Sequence, residues 1–95
     1  MMVEQHITRI VSEELHVEEQ QVLPDAHIFH DLAADSLDVV VLILALENEY
    51  HITIPDNEAK NLHTVSDIVK CVHRKLLHQL NKWRRKSMVP GGVYA

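Results

Sequence analysis

Residues 31–50 read DLAADSLDVVVLILALENEY, and the change within this stretch from an acidic, irregular segment to a long apolar run decides the fold. Asp35 and Ser36 are residue types favoured at helix N-caps, and Asp38 in the following turn complements the positive end of a helix dipole. We therefore predict a helix that begins at this Asp-Ser pair and ends near Tyr50.

An amphipathic helix is predicted before this segment. Apolar residues recur there at intervals of three and four, the spacing of one helical face. They are Val3, Ile7, Ile10, Val11 and Leu15. Residues 16–34 then lose the period and form a long connection, which in a compact domain is usually functional or packed by its own side chains. The apolar residues available to pin it are Val22, Leu23, Ile28, Phe29 and Leu32.

A short helix is predicted after the central one. Residues 51–54 read as a short extended stretch that Pro55 closes. Asp56 is the residue type that caps a helix, so we expect it to cap a brief helix over residues 57–62.

The last helix is predicted to begin at Thr64, with Asp67 three residues later as a variant of the capping box. Its apolar stripe continues past Leu80, so the helix is expected to reach about Lys86. The fold class that follows is all-α, with three main helices, one short helix and an extended C-terminal helix. Only two glycines and three prolines in 95 residues argue against a β-sandwich or barrel.

Charge divides the chain into two parts. Residues 1–80 hold five basic and fourteen acidic side chains, a formal net charge of −9, whereas residues 81–95 hold four basic side chains and no acid. We predict a helical domain over residues 1–80 and a basic tail over 81–95, partly helical and then disordered. An acidic body repels nucleic acid and favours basic protein surfaces. The tail has three open interpretations: it extends the last helix, binds a partner or membrane surface, or frays.

The expected location is cytoplasmic. A lone Cys71 fits a reducing compartment, and the N-terminal residues lack the pattern of a secretory signal. The longest apolar run, residues 39–46, is eight residues, too short for a bilayer span, so we expect no stable membrane insertion. The protein is expected to be soluble and monomeric.

Ser36 is the candidate functional residue. A serine at a helix start after an irregular loop has an exposed hydroxyl beside free backbone N–H groups, where an anion such as a phosphodiester is favoured. The simpler interpretation is an ordinary N-cap, whose replacement by alanine costs only about 1 kcal/mol.

The ordered motifs around Ser36 resemble the acyl carrier protein family. Asp35-Ser36-Leu37 matches its attachment motif, and residues 38–47, 52–56 and 64–67 resemble its second helix, third-helix entry and fourth-helix start. The resemblance covers roughly residues 3–76 in order, and it implies the small four-helix bundle of that family.

The resemblance implies that Ser36, flanked by Asp35 and Leu37, accepts 4'-phosphopantetheine from coenzyme A inside a separate phosphopantetheinyl transferase. The arm carries acyl groups as thioesters between enzymes of fatty acid, lipid or polyketide synthesis, and the domain itself is not an enzyme. The partner enzymes are expected to present basic surfaces to Asp35, Asp38, Glu47 and Glu49. Val41 is the fifth residue expected in partner recognition, through an apolar contact. The residues expected to line an acyl cavity are Val40, Ile43, Leu46, Ile54, Leu62 and Ile68.

Two positions depart from the family pattern. Ala33 stands where the family usually has glycine, and Val41 stands where carriers of fatty acid synthesis usually have glutamate. These departures suggest a specialised carrier with a restricted partner set. They also leave room for an unmodified carrier-like adaptor that binds a protein partner.

Metal and hydrolytic sites are not predicted. His27 and His30 lie near each other in the loop, and His73 and His78 lie on the last helix, but their spacing completes no tetrahedral ligand set. A Ser-His-Asp triad needs an oxyanion hole and a fixed pocket, which a small domain with glycine only at positions 91 and 92 is poorly equipped to build.

Overall fold

The computed structural model describes residues 3–87, with side chains described through residue 80. It consists of four helices: α1 (Val3–Leu15), α2 (Ser36–Tyr50), α3 (Asp56–Ala59) and α4 (Val65–Ser87). A single 3₁₀ turn at Glu19–Gln21, which the sequence did not indicate, interrupts the connection after α1. Within residues 3–87 the only β-type pairing is one isolated bridge between His27 and Thr64. The all-α prediction is confirmed.

The third helix differs from its predicted bounds. Pro55, not Asp56, occupies the N-cap, and its carbonyl accepts from the N–H groups of Glu58 and Ala59, both at 2.9 Å. Beyond Ala59 the chain continues through three-residue turns, with Asn61 N donating to Glu58 O and Leu62 N to Ala59 O. The predicted helix over 57–62 was therefore too long, because these tighter bonds end the α-helical ladder after one turn.

A shared apolar core joins α1, α2 and α4. The apolar face of α1 is buried as predicted except for Val3, which is half-buried. The residues of the other elements that are less than one-tenth exposed include Leu42, Ile43 and Leu46 on α2 and Val65, Ile68, Cys71 and Val72 on α4. Close packing of this kind supplies most of the stability of a small domain.

The long connection before α2 is held against the start of α4. Ile28 N donates to His63 O at 2.8 Å, Val65 N to Ala26 O at 3.1 Å and Ser66 N to Pro24 O at 2.8 Å. Its apolar residues also enter the core, namely Val22, Ala26, Ile28, Leu32 and Ala34. Of the residues predicted to pack this connection, Val22, Ile28 and Leu32 are buried, whereas Leu23 and Phe29 are exposed.

The start of α4 carries the predicted capping box. Asp67 N donates to Thr64 Oγ1 at 3.1 Å, and Asp67 Oδ2 accepts from the N–H groups of His63 at 3.0 Å and Thr64 at 3.1 Å. The hydrogen bond from the His63 backbone is the largest of the causes that lower the pKa of the Asp67 carboxyl. The charged form of Asp67 therefore holds the turn that enters α4.

The C-terminal helix runs to Ser87, one residue beyond the predicted Lys86. Leu77 is 60% exposed and Leu80 is 44% exposed, so these two side chains contribute little to the core. The Gln79 side chain donates to the carbonyl of His51, which ties this part of α4 to the end of α2. The basic side chains of 82–86 and the predicted disorder after Ser87 lie outside the described residues. None of the helices described is long and apolar enough to cross a bilayer.

Stability is predicted to depend on the charge of Asp67. Because folding lowers the pKa of this carboxyl, its contribution is complete above the value of a free aspartate and is lost as pH falls through about 4 and below. Urea unfolding between neutral and acid pH should show Asp67→Asn less stable than the wild type at pH 7, with the difference shrinking as pH falls. Asp25→Asn, at an exposed aspartate, is the matched control. A difference for Asp67→Asn that stays constant with pH would contradict the prediction.

Candidate functional site around Ser36

Ser36 is the first residue of α2, and Asp35 is its N-cap. Asp38 N donates to Asp35 Oδ1 at 2.8 Å, and Asp35 N donates to Asp38 Oδ2 at 3.1 Å, so the two carboxylates cap the helix reciprocally. Ser36 itself is exposed, and its hydroxyl is not the capping group. The interpretation of Ser36 as an ordinary N-cap is therefore excluded, because Asp35 already fills that position.

The electrostatic setting of Ser36 favours an attached phosphodiester. The first ladder bond of α2 runs from Val39 N to Asp35 O at 3.1 Å, so the N–H groups of Ser36 and Leu37 precede the ladder and point from the helix start. The partial positive charge of these groups and of the helix dipole attracts an anion. The carboxylates of Asp35 and Asp38 are turned into the cap, where each accepts a backbone N–H.

An apolar groove opens beside Ser36. It has a volume of about 300 Å³ and lies between the start of α2 and the segment around α3. Its lining residues are Phe29, Ser36, Val39, Ala59, Lys60 and Leu62. The residues present fit a phosphopantetheine arm, because an accessible hydroxyl, a helix N-terminus and an apolar groove lie together.

The loop that delivers Ser36 has a defined backbone. His27 N donates to Asp31 Oδ2 at 2.7 Å, and Ala34 N donates to Ile28 O at 3.1 Å. Between them Ala33 adopts a φ of 58°, in the left-handed region where glycine is favoured. The departure at Ala33 that the sequence revealed thus falls on a position where the side chain strains the backbone.

The acidic residues proposed for partner recognition have different surroundings. Asp35 and Asp38 sit in the cap beside Ser36, as described above. Glu47 is half-buried, and its Oε2 accepts from Ile54 N at 2.7 Å, so this carboxylate pins the chain after α2. Glu49 Oε2 lies 3.2 Å from His6 Nε2 on α1. Glu47 therefore has a structural role that the sequence did not suggest.

The outer face of α2 is an apolar stripe beside Ser36. Leu37 is 70% exposed, Val40 53%, Val41 42% and Leu44 57%. Their spacing of three and four residues places them on one side of the helix. Leu37 and Val41, both predicted site residues, lie in this stripe.

The predicted acyl-cavity residues divide into three groups. Leu62 lines the groove beside Ser36. Four others are buried in the core: Ile43, Leu46, Ile54 and Ile68. The prediction for Val40 is wrong, because its exposed side chain faces away from the interior. Phe29, Val39, Ala59 and Lys60 also line the groove, although the sequence did not indicate them as cavity residues. Only Val39 could have been found from the sequence, because it follows Ser36 by about one helical turn.

In the part of the chain that the structure describes, the side-chain clusters elsewhere do not form a metal or nucleophilic site. Among the residues described, no group of three or more His, Cys, Asp or Glu residues is arranged to hold a metal ion. The His27 ring lies 4.4 Å from that of His30, but its Nδ1 accepts from the N–H groups of Phe29 and His30. Burial raises the pKa of the Cys71 thiol, which keeps it protonated and unreactive at neutral pH.

Comparison with known proteins identifies the family. The family model of the phosphopantetheine attachment site matches residues 5–72. Over 66 residues the chain is 47% identical to the acyl carrier protein of Helicobacter pylori strain J99, an alignment that covers 70% of this chain and 85% of that protein. The chain belongs to the acyl carrier protein family.

The fold agrees with this assignment. The solved structure of the acyl carrier protein from Enterococcus faecalis matches with a TM-score of 0.66 and 33% identity, over 77% of this chain and 92% of that one. As a family member the chain is a carrier and not an enzyme, with phosphopantetheine as its prosthetic group. Its partners are a modifying transferase and acyl-handling enzymes, as the family requires.

Relieving the strain at Ala33 is predicted to stabilise the carrier. Ala33→Gly removes the Cβ that disfavours the left-handed backbone, so the free energy of unfolding should rise by about 0.5–1 kcal/mol. Ala34→Gly is the matched control, because Ala34 is buried with an ordinary φ, and its replacement should lower stability by about 1 kcal/mol. Urea unfolding of both variants checks the opposite signs. A loss of stability in Ala33→Gly would contradict the prediction.

Proposed function

We propose that Ser36 is the residue that bears the 4'-phosphopantetheine arm. The observation that supports this most strongly is the division of roles at the start of α2: Asp35 caps the helix, which leaves the Ser36 hydroxyl exposed and free of a capping role. A serine needed as a cap would have to break that hydrogen bond to react. Asp35 and Leu37 flank the acceptor, the first by fixing the helix start and the second by extending outward beside it.

The attachment reaction requires only that the carrier expose the Ser36 hydroxyl to the transferase. In the active site of the transferase, Ser36 Oγ forms a bond to the β-phosphorus of coenzyme A. The pyrophosphate P–O bond breaks, adenosine 3',5'-bisphosphate leaves, and the serine proton passes to a base of the transferase. The new phosphodiester would be held at the N-terminus of α2, where the N–H groups of Ser36 and Leu37 would stabilise its charge. The arm ends in a thiol, which holds an acyl group as a thioester.

The groove beside Ser36 is proposed to receive the arm and the first part of a bound acyl chain. Its lining is mainly apolar, and one lining residue, Leu62, is also part of the buried core. Ile43, Leu46, Ile54 and Ile68 lie deeper, and we propose that a longer chain reaches them only after the groove widens. Burial of apolar surface at about 25 cal/mol per Å² is the driving force for such insertion.

The partner surface is proposed to be the exposed apolar stripe of α2, formed by Leu37, Val40, Val41 and Leu44, together with the acidic residues around it. Val41 takes the place of an acidic residue in this surface, so the partner is expected to offer an apolar contact there rather than a basic one. Basic groups on the partner are expected opposite Asp35, Asp38 and Glu49. Glu47 remains a candidate beside them, since Asp35 and Asp38 likewise accept backbone hydrogen bonds.

The remaining proposals concern the setting of the carrier. Residues 1–80 are proposed as the carrier domain, and residues 81–95 as a basic C-terminal tail. A cytoplasmic location and a pathway of fatty acid, lipid or polyketide synthesis are consistent with a carrier of this kind. The unmodified adaptor is the less favoured function. It gives no reason for an exposed serine at position 36, because the helix is capped by Asp35 and does not need the serine hydroxyl.

Replacing Ser36 should separate modification from folding. After incubation with coenzyme A and a broad-specificity phosphopantetheinyl transferase, intact mass should show one phosphopantetheine increment in the wild type and none in Ser36→Ala. Because Ser36 is not the cap, this variant should lose less than about 0.5 kcal/mol of stability, whereas Asp35→Ala should lose about 1 kcal/mol. An increment that persists in Ser36→Ala would move the attachment to another residue. A folded wild type without any increment would favour the adaptor.

Restoring an acidic residue at position 41 is predicted to broaden partner choice. Val41→Glu adds a charge to an exposed position, so stability should change by less than about 0.5 kcal/mol. Acyl transfer by a generic set of fatty acid synthase enzymes should be slow for the wild type and several-fold faster for this variant. His73→Glu, at an exposed position of α4, controls for the added charge alone. Full activity of the wild type with the generic set would contradict the restricted partner set.

A further inference from the structure

One wall of the groove beside Ser36 is formed by the segment around α3. Ala59, Lys60 and Leu62 supply half of the residues that line it. The opposite wall belongs to the start of α2 and to Phe29 in the loop before it. The width of the groove therefore depends on how firmly the segment around α3 is held in place.

The α3 helix is held in place mainly by the chain at its two ends, because it buries no residue of its own. It is a single turn of four residues, and none of them is buried. A helix this short is not stable by itself. The chain on either side is anchored, because Ile54 is 4% exposed and Leu62 is 7% exposed.

A side-chain tie joins α3 to α4. Lys75 Nζ lies 2.8 Å from Glu58 Oε2, and Arg74 Nη2 lies 3.9 Å from Glu58 Oε1. Cys71 Sγ lies 4.0 Å from the same Oε1, close enough for a thiol to donate. The Glu58 and Lys75 side chains are 33% and 24% exposed, so this pair is less screened by water than a fully exposed pair.

The volume of the groove makes this tie important for cargo. About 300 Å³ is at the lower end of the range for small-molecule pockets. The core of the domain is closely packed, with Leu46 and Val72 fully buried. A long acyl chain needs a wider groove, so the segment around α3 has to shift away from the start of α2. The contact between Glu58 and Lys75 ties that segment to α4 and so opposes its displacement.

We propose that the Glu58–Lys75 pair, with Arg74 beside it, is a latch that sets how far the groove opens and so which acyl chain lengths this carrier shelters. The inference rests on the proposed function, since it assumes cargo attached at Ser36. Glu58 and Lys75 are positioning residues: neither needs to touch the reacting atoms. Short chains fit the groove while the Glu58–Lys75 ion pair is intact. Long chains fit only when this ion pair is stretched or broken.

The first test uses the unmodified protein. The N–H groups of Ala59 and Lys60 donate to Pro55 O and Asp56 O, so their hydrogen exchange reports opening of α3. Lys75→Met should speed their exchange about fivefold, in line with the loss of a partly buried ion pair, and leave the amides of α1 unchanged. Lys70→Met, which replaces an exposed lysine of the same helix, is the control. Equal exchange in Lys75→Met and the wild type would overturn the latch.

The second test uses arms attached at Ser36, with an amide in place of the thioester so that the acyl group is stable. Four-carbon and twelve-carbon chains are compared by the shift in thermal midpoint that each produces. The four-carbon chain should raise the thermal midpoints of the wild type, Lys75→Met and Glu58→Gln by the same amount. The twelve-carbon chain should raise the midpoints of both variants more than that of the wild type. A merely structural role would lower all midpoints alike, and that result would overturn the latch.

The two proposals fail in different ways. Intact mass shows whether the arms are attached before any midpoint is measured. Absence of attachment would overturn the proposed function and the cargo role of the latch with it. Attachment followed by equal chain-length dependence in all proteins would overturn the latch alone.

Discussion

The reciprocal hydrogen bonds between Asp35 and Asp38 fix the residue at which α2 begins, and the arrangement of the site follows from that point. Successive residues of an α-helix are rotated by about 100°. A start displaced by one residue would therefore turn different side chains toward the core. With the start at Ser36, the side chains of Leu42, Ile43 and Leu46 are buried, and the serine hydroxyl is left in solvent.

This constraint matters more for α2 than for the other helices, because α2 is apolar on nearly every side. Its inner residues pack in the core, Val39 faces the groove, and the stripe from Leu37 to Leu44 faces solvent. An amphipathic helix is oriented by its own polar face, but α2 has almost none. Its cap and the Glu47 hydrogen bond to Ile54 supply the orientation that the hydrophobic pattern does not.

The same property explains which features the sequence predicts. The bounds of α2, the capping box of α4 and the apolar face of α1 follow from local signals, and the structure contains all three. Val40 was misassigned because a helix with apolar residues all round gives no periodic signal for inside and outside. Ala59 and Lys60 were missed because they come beside Ser36 only through tertiary folding. The role of Glu47 depends on a contact seven residues away, across a turn whose shape the sequence did not indicate.

In the proposed encounter with a partner, the exposed stripe on α2 and the acidic body act on different steps. Net charge attracts a basic surface over a distance of roughly a Debye length, about 8 Å in physiological salt, and thereby raises the rate of association. Apolar contact has no such range, and it acts after docking by slowing dissociation. On the proposed partner surface, valine at position 41 moves part of the recognition from the first step to the second. Its complexes are therefore expected to form at a rate that depends on salt and to persist for a time that depends on it much less.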